Sequence, residues 1–107
     1  MRKAIALLLV LGLILASLAA LAGAVGSDCT FHGKKLFGKI QFVSSFPDIK
    51  VQVVSSFPDL KVQKVSSFPD SCGKWQITDS FPDIKVQIVD SFPDVKIQYV
   101  DSFPGVP

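Results

Sequence analysis

Five aspartates recur at one place in a repeated phrase: Asp48, Asp59, Asp70, Asp83 and Asp94, each directly after a Phe-Pro pair. Stacked copies of the phrase would bring these carboxylates into a row, and a row of oxygen ligands is what Ca²⁺ requires. Pro-Asp is equally what a tight turn selects for backbone reasons alone. Lysines two residues on, at Lys50, Lys61, Lys85 and Lys96, would compete as counter-ions, and no Gly-rich, multi-Asp calcium loop accompanies the set. The five aspartates are thus the candidates for a cation site, with turn formation the favoured role and no cofactor expected.

Other reactive types are sparse. His32 is the single histidine, and the chain has no Glu to pair with it in acid–base work. The serines lie at repeated corner positions where hydroxyls bond local backbone, and six equivalent copies do not describe one activated nucleophile. These absences predict that the protein is not an enzyme. Cys29 and Cys72 are the only cysteines. An even count in a small exported protein favours a disulfide, which would stabilise by about 4 kcal/mol in the ideal chain-entropy picture. Two cysteines and one histidine are too few for a closed zinc site.

The elements that must position these groups follow from the repeat. Ser-Phe-Pro begins at Ser45, Ser56, Ser67, Ser80, Ser91 and Ser102, so successive spacings are 11, 11, 13, 11 and 11. Within a copy, Ile84, Val86 and Ile88 alternate with Lys85 and Gln87, the period-two pattern of a strand with one buried face. Phe92-Pro93-Asp94 then ends the strand, with Phe92 expected to be extended because it precedes proline. Past residue 24 there is no Ala, Glu, Arg or Met, so most strong helix formers are missing, while Val, Ile and Phe are frequent. The chain reads as all-β: six short strands in a stacked, solenoid-like module with an 11-residue period, any helix being confined to the N-terminal segment. Residues 38–70 align without gaps onto 73–105, giving two three-repeat halves separated by an inserted Ser71-Cys72-Gly73.

Met1-Arg2-Lys3, an apolar run from Ala4 to Leu21 and the small residues Ala22-Gly23-Ala24 make the three-part pattern of a secretory leader. Residues 1–24 are therefore expected to be a cleaved signal peptide. A retained membrane anchor is the alternative, because such a run can span a bilayer. Residues 25–37 form a lead-in and 38–107 the β-repeat domain. Beyond residue 24 the chain carries equal numbers of Lys and Asp, so the formal charge of +2 belongs to the leader. That balance excludes a nucleic-acid footprint and long-range steering to anionic surfaces. The location expected is periplasmic or extracellular.

The string Lys-Val-Gln-Ile-Val-Asp-Ser, with variants three times in each half, and the opening Trp75 with Thr78, Asp79 and Ser80 resemble the bacterial septoil-knot domain family. The resemblance covers residues 38–105. It implies a small all-β protein whose backbone forms a seven-crossing torus knot, with no assigned biochemical activity. This chain has Phe-Pro-Asp where many members have a longer Arg-Tyr-Gln-Ala-type corner.

Phe46, Phe57, Phe68, Phe81, Phe92 and Phe103 share one register, and repeated aromatics of this kind usually fill the space between stacked units; a buried core is expected. Trp75 reads as core. Tyr99 shares a column with Lys64 and is the candidate for an exposed contact. The Lys and Gln columns read as a solvated face, or as a polar surface for an envelope glycan or a protein partner. The function expected is an exported, stable structural or interaction module, monomeric and meeting a membrane only through an uncleaved leader. A glycan- or cation-binding module and a secreted fibre former are the alternatives, the last because Val86-Gln87-Ile88-Val89 is of zipper type.

Overall fold

A computed structural model describes residues 24–107. The leader expected over residues 1–24, or its anchor alternative, lies outside the described residues except for Ala24. The described chain is all-β. A two-residue-per-strand hairpin, β1 (Thr30–Phe31) and β2 (Lys34–Lys35), precedes six repeat strands: β3 (Gly38–Phe42), β4 (Ile49–Val53), β5 (Leu60–Lys64), β6 (Lys74–Ile77), β7 (Ile84–Ile88) and β8 (Val95–Tyr99).

The six repeat strands close into a barrel in the order β3-β6-β5-β8-β4-β7, and every pairing in it is parallel. Stacking of successive repeats, the expectation from the period, gives way to interdigitation. Within a half, each connection steps two places around the ring, from β3 to β4 to β5, and so occupies alternate positions. One more such step would land on β3 again. The longer junction at Ser71-Cys72-Gly73 converts that step to one, so β6 falls beside β5 and the second half fills the gaps left by the first. Every hydrogen-bonded strand pair in the barrel therefore joins one half to the other.

Strong stagger lets short connections make these parallel crossings. Ile84–Val86 of β7 pairs with Ile40–Phe42 of β3, while Val86–Ile88 pairs with Ile49–Val51 of β4. Each strand thus bridges the end of one neighbour and the start of the other. Alternation then sends two residues per strand inward. Ile49 and Val51, Leu60 and Val62, Ile84 and Val86, Val95 and Ile97 are all buried, with Ile40 and Trp75 completing the core. Trp75 fits a site held by Val or Ile in the other repeats because its register partner is Gly38, which contributes no side chain. Its indole Nε1–H donates to the Leu36 carbonyl at 3.1 Å, satisfying a buried donor. Leu36 and Cys29 bring the lead-in into the same core cluster.

The expected Cys29–Cys72 disulfide is present. It ties the lead-in to the junction between the halves, where the C-terminal segment also arrives: Gly105 and Lys61 exchange backbone hydrogen bonds beside Cys72.

The aromatic core is corrected. Phe46, Phe57, Phe81 and Phe92 are 92–93% exposed, Phe103 89% and Phe68 79%. Two inward residues per strand already fill a narrow six-stranded interior. The corner conformation also turns each ring away, since all six phenylalanines have φ between 50° and 55°. Extended backbone before proline was the expectation; the chain instead takes the left-handed region, where a bulky side chain is a genuine outlier.

Gly73 reports on the junction. Its φ is +79°, and a Cβ there would collide with the Lys61 carbonyl oxygen and the Gly105 nitrogen. Gly33 has the same φ with nothing near it. Gly33→Ala should therefore cost about 1 kcal/mol in urea unfolding for backbone strain alone, and Gly73→Ala about 2 kcal/mol more for the overlap. Equal losses would contradict the junction geometry.

Candidate functional site

The corners between strands carry the residues that the sequence singles out. Five of the six corners leave the barrel and return to the same neighbouring strand. Val43 N–H donates to the Val86 carbonyl and Asp48 N–H to the Lys85 carbonyl, so residues 44–47 arch away from β7. The pattern repeats with Val54 and Asp59 on Ile97 and Lys96, and with Val89 and Asp94 on Val51 and Lys50.

Aspartates close four of the arches. Lys85 N–H donates to Asp48 Oδ2 at 2.8 Å, Lys96 to Asp59 at 2.9 Å, Lys39 to Asp83 at 2.8 Å and Lys50 to Asp94 at 2.8 Å. Both backbone groups of one strand residue are thus held by an aspartate of the opposite half. This differs from the expected local turn bond, and it explains the Pro-Asp pair better: proline presets the approach and the carboxylate takes an N–H that the barrel leaves over. The same spacing from Asp70 falls on Pro107, which has no N–H to give, and Asp70 N–H bonds the Phe68 carbonyl instead. At Lys61 the corresponding position is Gly105, whose carbonyl takes the bond at 2.8 Å. The five candidate ligands are therefore not brought together: four cap four different strands. Among the described residues no group of three or more His, Cys, Asp or Glu converges.

The Gln column is also more than a solvated face. Gln41, Gln52 and Gln63 donate from Nε2 to the carbonyls of Asp79, Asp90 and Asp101, while Gln87 and Gln98 donate to those of Ser44 and Ser55. Each clips the start of an arch belonging to the other half. Outward polar residues at a strand's second alternate position looked solvated in sequence; only the ring order reveals that a carbonyl lies over them. Lys39, Lys50, Lys85 and Lys96 do face solvent.

The remaining singled-out residues lie apart. His32 is exposed, its ring 4.2 Å from that of Phe31. Tyr99 is half-buried with Lys64 Nζ 4.4 Å from its ring centroid, and burial raises its hydroxyl pKa. The two line a shallow depression with Gln63, Val100 and Asp101. An open cleft of about 360 Å³ lies where the hairpin meets the barrel, lined by Lys34, Lys35, Phe37, Pro69 and Asp83 among others. Lys34 pairs with Asp48 across 3.4 Å. What the corners present outward is six near-identical Ser-Phe-Pro tips on a closed barrel.

A closed, all-parallel barrel of interleaved repeats with clamped corners is the class this geometry defines. Residues 33–107 match the 7(1) septoil knot domain, and the chain belongs to that family. It is also similar to a protein of Synechocystis sp. (strain ATCC 27184 / PCC 6803 / Kazusa), "Uncharacterized protein slr1025", at 76% identity over 48 residues. That match spans 45% of this chain and 43% of the relative's length.

The clamp has a pH signature. The Lys85 N–H bond, with Lys34 nearby, holds the Asp48 carboxyl below its ordinary pKa, against a smaller opposing effect of burial. A carboxyl lowered in the fold contributes stability above its unfolded pKa and loses it as pH falls through the folded value. Urea midpoints should therefore drop as pH falls from about 5 to 2, and Asp48→Asn, which keeps the acceptor oxygen but cannot titrate, should drop less. Identical acid limbs would contradict a charged clamp.

Proposed function

We propose that the chain is an exported, non-catalytic structural and interaction module: a small frame that resists opening while presenting a repeated surface. One observation carries this reading, the six exposed Ser-Phe-Pro tips held on a barrel in which every strand is flanked on both sides by the other half. A closed barrel offers no free sheet edge for unwanted pairing. The same closure argues against the zipper-type fibre, since Val86-Gln87-Ile88 is already paired with Ile49-Lys50-Val51, and Val86 with Phe42 on its other side. The leader pattern supports export, and the Cys29–Cys72 disulfide is in keeping with an oxidising compartment.

The tips suit such a role chemically. The bond after each exposed Phe is a tertiary amide to proline, which a chymotrypsin-like protease cuts poorly because the ring blocks its approach. Broad-specificity protease should therefore degrade the native, oxidised protein at least about a hundredfold more slowly than the reduced, urea-unfolded chain diluted into the same assay, as for cleavage that waits on opening. Digestion of both at one rate would refute a frame of this kind.

A further inference from the structure

Six phenylalanines lie almost wholly in water, each in a backbone region that disfavours it. Among the described residues nothing accounts for phenylalanine there: Asn or Gly would adopt the conformation more readily. The barrel order places the tips around the whole wall, with those following β3, β6, β5, β8, β4 and β7 carrying Phe46, Phe81, Phe68, Phe103, Phe57 and Phe92 in turn. Their flanks alternate around that ring. First-half tips have Ser44, Ser66 and Ser55 two residues before the phenylalanine, whereas second-half tips have Asp79, Asp101 and Asp90.

We propose that this ring of tips is a self-association surface whose occupant is a second copy of the chain. The proposal rests on the interaction-module reading and names its partner. Three features favour a second copy. Phenylalanine has no polar handle, so its cover is apolar and not a sugar hydroxyl surface. All six tips carry an acidic group, from Asp48, Asp59 and Asp70 in the first half and Asp79, Asp90 and Asp101 in the second, which disfavours an anionic lipid surface, while zero net charge beyond residue 24 leaves no long-range repulsion between two copies. Tips that encircle the molecule also cannot all meet one flat bilayer, whereas copies on several sides can cover them all.

Area sets the strength. A covered aromatic buries roughly 150–250 Å², so two adjacent tips from each of two copies bury about 800 Å². That is at the weak end of specific interfaces, which bury about 1,200–2,000 Å² when stable. Because adjacent tips recur on every side, contacts are weak singly and association continues beyond the dimer. The partners meet as folded barrels, without cross-β pairing.

The test is sedimentation velocity on the protein as an exporting host releases it, its N-terminus determined, from about 5 to 500 μM, a range chosen for a weak interface. The weight-average sedimentation coefficient should rise with concentration past the dimer value. Phe46→Asn, Phe57→Asn and Phe92→Asn together remove three neighbouring tips and should halt growth at the dimer; replacing all six should leave a monomer. Asn tolerates positive φ, so melting temperatures should be unchanged or higher. Should the sixfold variant not fold, ring resonances of labelled phenylalanine in the wild type still report, by shifting with concentration. A wild type that stays monomeric with unshifted ring resonances overturns the proposal, as does a folded sixfold variant that associates like wild type. Monomers that float with phosphatidylcholine vesicles only when the rings are present would also overturn it, assigning the cover to lipid. Protease resistance in a strict monomer would leave the module reading standing and remove this one.

Discussion

No strand of either half pairs with another strand of its own half. All six interfaces of the barrel are between halves, so the backbone donors and acceptors of β3, β4 and β5 find partners in the second half, on β6, β7, β8 and the corners that follow them. An unpaired buried N–H or C=O costs about as much as a lost hydrogen bond, so neither half can persist as a partial sheet. The architecture depends on this single constraint. It derives from one sequence feature, the lengthened junction at Ser71-Cys72-Gly73, which shifts the second winding by one place. The disulfide fastens the lead-in at that point, and Gly73 passes where a side chain has no room.

The clamps and clips extend the constraint to the connections. A six-residue crossover such as Val43–Asp48 must leave one strand, clear another and begin a third. Asp48 and Gln87 hold its two ends to β7, so the arch between them is fixed without any packing of its own. The tip residue is thereby released from structural duty. That release is why the outward face of each corner is free of structural work, and why six copies can keep one backbone shape.

Much of the frame is legible in the residues. The alternation of Ile84, Lys85, Val86 and Gln87 marks a strand with one buried face, and the spacing of Ser-Phe-Pro marks its length. The even cysteine count points to Cys29–Cys72. What escapes is set by long-range geometry. Parallel interdigitation is invisible to a period of 11, which is equally consistent with stacking. Phe46 and its equivalents mislead because aromatics at constant register usually pack inward, yet two inward residues per strand already fill this interior. The left-handed φ that turns them out is contrary to the extended backbone preferred before proline. Asp94 and Gln87 look like turn and surface residues because their partners, Lys50 N–H and the Ser44 carbonyl, lie in the other half of the chain.

Native-state hydrogen exchange tests the interdigitation most directly. Amides at the strand centres, Val51 and Val62 in the first half and Val86 and Ile97 in the second, should exchange through one global opening, with free energies agreeing within about 1 kcal/mol. Two classes that divide at Ser71-Cys72-Gly73, one half opening while the other stays protected, would show that a half can stand alone and would contradict the account.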